Sequence, residues 1–110
     1  DTGHYSYGGG NPIEALTQYR DRICHIHLKD YDIKVAEKAR LNQWDYFTSV
    51  QNGIFCELGK GSVDFKGFID ELKVQDYSGW AVVEQDVLPG MGNPKQCAQN
   101  NREYLKALGL

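Results

Sequence analysis

Residues 22–30 have the sequence Arg-Ile-Cys-His-Ile-His-Leu-Lys-Asp, an apolar run bounded by charged residues. Such a run predicts a short buried β-strand. Because side chains alternate between the two faces of a strand, His25, His27 and Lys29 share one face, and the other face is apolar until Asp30. The strand therefore presents two histidines opposite its apolar side.

A second buried strand is predicted at residues 80–86, which have the sequence Trp-Ala-Val-Val-Glu-Gln-Asp. By the same alternation, Glu84 and Asp86 lie on one face and Gln85 lies on the other. Both strands thus combine one apolar face with a face that carries ionisable groups near its carboxyl end.

Three helices are predicted around these strands. Asn11-Pro12 and Asn93-Pro94 each supply an N-cap followed by a proline at the first helical position. The third helix follows Asp64 and has apolar residues at i, i+3, i+4 and i+7. A long excursion, residues 31–58, separates the first strand from this helix and ends in the strand-like segment 54–56.

The order of these elements is helix, strand, excursion, helix, strand, helix, which is typical of an α/β fold with parallel strands. A complete eight-stranded β/α barrel needs about 250 residues, whereas this chain has 110. We therefore expect residues 1–110 to form one incomplete barrel. The chain also begins with aspartate rather than methionine, and we expect it to be a segment of a longer protein.

The composition is that of a soluble globular protein, with 41% hydrophobic and 25% charged residues and a net charge of −3. The charges are interspersed, which argues against a nucleic-acid partner, and no apolar stretch predicts a membrane segment. Cys24, Cys56 and Cys97 have the spacing of neither a disulfide framework nor a zinc knuckle. A reducing, cytoplasmic location fits this cysteine usage best.

Strand geometry points to a metal site. In a β/α barrel the apolar strand faces pack on the helices, which leaves the histidines and Glu84 on the barrel interior. Active sites of such barrels lie at the carboxyl ends of the strands, which favours His27 over the deeper His25. A buried carboxylate needs a metal or a positive partner, and Lys29 could be that partner. The residues alone leave both possibilities open for His27 and Glu84.

Asp1-Thr2-Gly3-His4 is expected at the tip of a preceding strand, followed by a glycine-containing turn. Asp1 could then join His27 and Glu84 as a ligand. Mixed carboxylate and imidazole ligands suit Mn²⁺, Co²⁺, Fe²⁺ or Mg²⁺. A purely capping role is the simpler explanation of Asp1 on the residues alone.

The chain carries four recognisable motifs: Asp-Thr-Gly-His at 1–4, Arg-Ile-Cys-His-Ile-His-Leu-Lys-Asp at 22–30, Gly-Lys-Gly-Ser-Val-Asp-Phe at 59–65, and Tyr-Ser-Gly-Trp-Ala-Val-Val-Glu-Gln-Asp at 77–86. Together they resemble the xylose-isomerase-like sugar isomerase/epimerase TIM barrels over essentially the whole chain. The resemblance implies the C-terminal portion of a (β/α)8 TIM barrel without its upstream strands. Within the superfamily, Gly-Ile-Phe at 53–55 and Glu-Gln-Asp at 84–86 are most similar to the inosose dehydratases of inositol catabolism.

The resemblance implies a metal site made of a glutamate, an aspartate, a histidine and a second glutamate. Asp1, His27 and Glu84 match three of these ligands, and the fourth is absent from the chain. The ion implied is Mn²⁺ or Co²⁺, with Mg²⁺ as a further candidate. His4 matches a substrate-contacting histidine, and Glu84 matches a glutamate that also transfers protons.

The remaining candidate residues surround this metal site. Lys29 is expected either to contact the substrate and neutralise a developing oxyanion or, as the favoured alternative, to form a salt bridge with Glu84 or Asp86. His25, Asp30 and Asp86 are expected to support the ligands from outside the metal site.

The excursion, residues 31–58, lies on the catalytic side of its strand. Trp44, Tyr46 and Phe47 are candidate substrate-wall residues, and packing against neighbouring helices explains them equally well.

The leading functional hypothesis is a metal-dependent lyase that dehydrates inosose. Metal-assisted removal of the α-proton from a keto-polyol, followed by loss of the β-hydroxyl, is dehydration, whereas reprotonation on the other face is epimerisation. A keto-sugar epimerase or isomerase with the same site is therefore the second hypothesis. The third belongs to another class: a catalytically silent half-barrel, which lacks one ligand and about five strands. The expected partner is a small keto-polyol or keto-sugar, and homo-oligomerisation is compatible with each hypothesis.

Overall fold

The computed structural model of the protein describes all residues, 1–110. Its helices and strands follow in this order: α1 (Thr2–Tyr7), α2 (Pro12–Gln18), β1 (His25–Leu28), β2 (Asp30–Tyr31), α3 (Ile33–Leu41), α4 (Tyr46–Gln51), β3 (Phe55–Cys56), α5 (Phe65–Val74), β4 (Trp80–Val83) and α6 (Pro94–Ala107). A short 3₁₀ turn at Arg20–Arg22 connects α2 to β1. None of these helices combines the length and the apolar character that crossing a membrane requires.

The two predicted strands pair directly with each other. β1 and β4 are parallel, with His25 opposite Trp80 and Leu28 opposite Val83. The ladder continues past the last paired residues, because the Glu84 N–H donates to the Leu28 carbonyl over 3.0 Å. The carboxyl ends of both strands therefore meet at one edge, as in a β/α barrel.

The predicted strand faces are confirmed by burial. Ile26 and Leu28 are buried in the main core, whereas Trp80, on the opposite side of the sheet, is 76% exposed. The helices cover only the apolar side, so the arrangement is that of a partial β/α barrel. The main core consists of nine buried side chains: Leu16, Ile26, Leu28, Leu58, Phe65, Phe68, Ile69, Leu72 and Leu105.

The excursion forms a small layer of its own. Its flanking strands β2 and β3 are antiparallel, with Asp30 opposite Cys56 and Tyr31 opposite Phe55. This antiparallel pair departs from the purely parallel arrangement that was expected, because the excursion returns along the strand by which it left and does not add a further barrel strand beside β1. Helices α3 and α4 fill the space between, around buried Ala36 and Val50.

The predicted helix starts are confirmed at Asn11, Asp64 and Asn93, each of which caps its helix through its side chain. A glycine-containing turn was expected after Asp1, but residues 2–7 form the helix α1. Gly3 is needed there for close packing and not for a turn, since a Cβ at Gly3 would lie 2.8 Å from the Lys29 Cγ.

Candidate metal centre

Six ionisable side chains meet where β1 and β4 end beside the start of α1. We call this group the strand-end cluster, and it comprises Asp1, His4, His27, Lys29, Glu84 and Asp86. His27 is in β1, Lys29 follows that strand, and Glu84 and Asp86 follow β4, whereas Asp1 and His4 are the N-cap and a residue of α1. The sequence-predicted ligands and both predicted substrate-contacting residues are therefore brought together.

Glu84 lies at the centre of the strand-end cluster. Its Oε2 lies 2.7 Å from the His27 Nδ1, and its Oε1 lies 2.7 Å from the Lys29 Nζ. The hydrogen bond from Lys29 holds the pKa of Glu84 below its ordinary value, against the opposing effect of burial. Glu84 is thus an ionised carboxylate near neutral pH, with one oxygen directed to each neighbour.

Lys29 is the most buried member of the cluster, with a side chain that is 1% exposed. Its Nζ donates to Glu84 over 2.7 Å and to Asp86 over 3.0 Å, and it lies 3.3 Å from the His4 Nε2. Burial by itself would lower the pKa of Lys29, but the hydrogen bonds with Glu84 and Asp86 raise it above its ordinary value. Because an ammonium has three N–H donors, these contacts fill its capacity.

Thr2 positions α1 against the end of β1. The Thr2 hydroxyl donates to the Lys29 carbonyl over 2.7 Å and accepts the Lys29 N–H over 2.9 Å. This buried pair of hydrogen bonds holds the start of α1, with Asp1 and His4, beside the strand end. The sequence reasoning missed this role of Thr2, although its place between two candidate site residues, Asp1 and His4, was a usable signal.

Asp1 has two roles at once. Its Oδ1 accepts the His4 N–H over 2.7 Å and caps α1, while its Oδ2 lies 3.8 Å from the His27 Nδ1. Ligand atoms of Asp1, His4 and Glu84 all lie within 4.8 Å of one another. Two carboxylates and an imidazole form a donor set that fits a divalent cation. This group contains His4 and not the predicted ligand His27, so the structure offers His4 as a second candidate imidazole.

His4 has the protonation state that metal or substrate binding requires. Burial, and then the nearby Lys29 ammonium, lower the pKa of His4. Its ring is therefore neutral near pH 7, and a neutral imidazole can bind a metal or accept a hydrogen bond.

Residues 1–108 match the sequence profile of the xylose isomerase-like TIM barrel. The chain belongs to this family. It is 41% identical over 108 residues to an inosose dehydratase of Geobacillus kaustophilus, a match that covers 98% of this chain and 35% of the relative. It is 39% identical over 106 residues to that of Clostridium beijerinckii, covering 96% of this chain and 36% of the relative. The chain spans about a third of the length of the curated relatives it matches.

Other predicted residues of this xylose isomerase-like chain occupy different positions around the strand-end cluster. His25 is exposed, and its ring lies edge-on to that of His27 at 5.2 Å between centroids. Asp86 binds Lys29 directly. Asp30 points to the opposite side of the chain from Lys29, and its carboxylate binds backbone N–H groups of the loop 59–63. It shapes that loop and does not contact the cluster.

Aromatic side chains from the excursion cover one side of the cluster. The Lys29 Nζ lies 4.6 Å from the centre of the Phe55 ring, a cation–π contact that the sequence reasoning missed. The His4 ring packs edge-on to Phe55 at 4.7 Å, and Tyr46 reaches Asp86 with its hydroxyl. Burial, and then Asp86, raise the pKa of Tyr46, so its hydroxyl keeps its proton.

Proposed function

We infer that this chain is the C-terminal part of a metal-dependent lyase that removes water from inosose. The relatives named as inosose dehydratases support the substrate class. The observation that carries the proposal is the position of Glu84, 2.7 Å from both the His27 Nδ1 and the Lys29 Nζ. An ionised carboxylate at the carboxyl end of a barrel strand, beside further metal-binding groups, is suited to proton abstraction next to a carbonyl.

Asp1, His27 and Glu84 would hold the ion, with His4 as an alternative imidazole. Mn²⁺ and Co²⁺ are the preferred ions, because carboxylate and imidazole donors suit them. A bound ion would withdraw charge from the keto oxygen of the substrate and make the adjacent C–H more acidic. The family resemblance implies one further glutamate ligand, and we propose that the part of the barrel beyond this chain supplies it.

The chain's own residues would carry out the proton transfer. Glu84 would accept the proton from the carbon next to the keto group. The β-hydroxyl would then leave as water together with the proton that Glu84 had accepted, so that Glu84 is again ionised and the net change is dehydration. Lys29, which stays protonated, would balance the negative charge that develops on the substrate, acting through its electrostatic field because its N–H groups are already engaged.

Two alternatives predict different behaviour from the same residues. An epimerase would use the same carboxylate but return the proton to the other face of the carbon. A silent half-barrel would bind no metal, and the open inner face of the sheet, where Trp80 is 76% exposed, favours this outcome for the chain alone.

The test uses a complete barrel, in which residues 1–108 replace the matching segment of the Geobacillus kaustophilus relative. Calorimetric titration with Mn²⁺ should show tight binding. His27→Ala and Glu84→Ala should each weaken it by about 100-fold or more, since even residues that only support metal ligands cost about 10- to 100-fold. Asp70→Ala is the control, because Asp70 pairs with Lys66 on α5 outside the cluster, and it should leave the affinity nearly unchanged. His4→Ala distinguishes the two candidate imidazoles.

Activity separates the functional alternatives. The complete barrel, loaded with Mn²⁺, is incubated with inosose and, separately, with ketohexoses, and the product is followed for loss of water by mass spectrometry. If the complete barrel dehydrates inosose and the Glu84→Gln variant does not, the lyase is supported. Turnover of ketohexoses alone would contradict it and favour the epimerase. Absence of both Mn²⁺ binding and turnover in residues 1–110 alone would favour the half-barrel, whereas their absence in the complete barrel would contradict both enzyme hypotheses.

A further inference from the structure

Tyr46 brings a polar side-chain atom of the excursion to the strand-end cluster. It is the first residue of α4, and its hydroxyl lies 3.4 Å from the Asp86 Oδ2, the oxygen that also accepts from Lys29. Its ring lies nearly parallel to that of His4, with 6.3 Å between centroids and 19° between planes. Tyr46 thus lies against two members of the cluster, Asp86 and His4.

The hydroxyl of Tyr46 retains unused hydrogen-bonding capacity. A phenol has one donor and can also accept, and an ionised carboxylate can only accept. The proton of Tyr46 is therefore directed to Asp86, and the oxygen lone pairs remain free. The side chain is 51% exposed, so these lone pairs are accessible to a small molecule.

An aromatic cavity adjoins the Tyr46 side chain. Its volume is about 190 Å³, and its walls include His4, Trp44, Tyr46 and Phe55. Such walls suit the C–H face of a polyol ring, while the few polar atoms fix its orientation. The cavity and the free lone pairs of Tyr46 together describe a place for the part of a cyclic polyol that lies away from the reacting carbon.

We propose that Tyr46 determines substrate specificity by accepting a hydrogen bond from a ring hydroxyl of the cyclic keto-polyol while it donates to Asp86. The identity of the substrate rests on the proposed function, but the contact itself does not depend on whether the reaction ends in dehydration or epimerisation. The hydroxyl of Tyr46 is not needed to hold the excursion in place, because a single 3.4 Å hydrogen bond at a half-exposed site contributes little to stability, and phenylalanine would keep the ring contacts.

The experiment compares Tyr46→Phe with the unmodified complete barrel, loaded with Mn²⁺. We expect KM for inosose to rise about 3- to 10-fold, with kcat within about twofold, because one neutral hydrogen bond is lost in the ground state and the transition state alike. The Kd for inosose, measured by calorimetry, should rise by the same factor. Tyr19→Phe is the matched control, because it removes a hydroxyl that makes no hydrogen bond in the structure and should change neither value.

Deoxy-inososes identify the hydroxyl that is contacted. The deoxy-inosose that lacks the contacted hydroxyl should bind weakly to the unmodified barrel, and Tyr46→Phe should not weaken its binding further. Every other deoxy-inosose should bind more weakly to Tyr46→Phe than to the unmodified barrel, as inosose does. An unchanged KM and Kd in Tyr46→Phe would overturn the inference, and so would a fall in kcat at constant KM. Thermal unfolding of both variants verifies that the fold is kept.

The outcome for Tyr46 can be separated from that for the lyase. If the barrel binds inosose without dehydrating it, and Tyr46→Phe raises the Kd, the specificity contact stands and the lyase is refuted. If dehydration occurs and Tyr46→Phe has no effect on KM or Kd, only the specificity contact is refuted. A barrel that neither binds nor converts inosose refutes both.

Discussion

Asp30→Asn tests how the end of β1 is connected to the loop 59–63. The Asp30 side chain is fully buried and has no cationic partner in hydrogen-bonding contact. Its Oδ1 accepts the N–H groups of Tyr31 and Val63 over 2.9 and 3.0 Å, and its Oδ2 accepts those of Gly59 and Gly61 over 2.9 and 3.0 Å. Four backbone donors thus converge on one carboxylate.

The cost of the substitution follows from this geometry. An asparagine amide keeps one oxygen and replaces the other with an NH₂ group, so two of the four backbone N–H groups lose their acceptor and face a donor. A hydrogen bond to a charged acceptor contributes about 1.5–3 kcal/mol. Two such losses give about 3–6 kcal/mol, and access of water to the partly buried glycine N–H groups reduces the cost. We expect Asp30→Asn to lower the free energy of unfolding by about 3–5 kcal/mol.

Urea unfolding of the complete barrel measures this change, and hydrogen exchange of the amides at 59–63 localises it. The control is Asp32→Asn, because Asp32 caps α3 through its Oδ1 alone, and asparagine caps a helix as well as aspartate does. It should cost less than about 0.5 kcal/mol. Equal urea midpoints for Asp30→Asn and Asp32→Asn, with unchanged exchange at 59–63, would refute the reasoning.

Three further substitutions test other parts of the structure. Gly3→Ala would place a methyl group 2.8 Å from the Lys29 Cγ, so we expect a cost of about 1–3 kcal/mol in thermal unfolding, together with weaker Mn²⁺ binding as α1 moves. Asn101→Leu leaves a buried backbone N–H without its acceptor, which should cost about 1–3 kcal/mol in urea unfolding; no change would contradict this role. The Lys60 hydrogen bond holds the pKa of Glu57 below its ordinary value of 4.5. The ionised Glu57 therefore stabilises the folded protein fully above about pH 4.5, and this stabilisation is lost as the pH falls through the lower pKa that Glu57 has in the folded state. Urea midpoints measured from about pH 6 to pH 3 should therefore decline less steeply in Glu57→Gln.

The sequence predicted the strand faces because alternation is a local property of the chain. Once β1 and β4 are strands, His27 and Glu84 must lie opposite the apolar side, and burial of Ile26 and Leu28 confirms that assignment. The helix caps were predictable for the same reason, since Asp64 bonds to an N–H three residues away. The metal role of the cluster stays a prediction.

Contacts between distant segments could not be predicted in this way. The hydrogen bonds between Thr2 and Lys29 join residues 27 positions apart, and that between Tyr46 and Asp86 joins residues 40 apart. Both depend on how α1 and the excursion fold over the strand ends. The four-way contact of Asp30 depends on the path of a loop some 30 residues away, whose conformation no local pattern encodes.

The charge of the strand-end cluster gives the metal hypothesis its physical reason. Asp1, Glu84 and Asp86 contribute three carboxylates, whereas Lys29 is the only permanent cation among them. The carboxylates thus exceed the Lys29 ammonium by two negative charges, and like charges held close together at a partly buried site are costly. Lys29 is directed to Glu84 and Asp86, so the uncompensated charge is concentrated on the side of Asp1 and the second oxygen of Glu84. A divalent cation on that side would neutralise it, and the same ion would face the space in which Tyr46 and His4 leave room for a substrate.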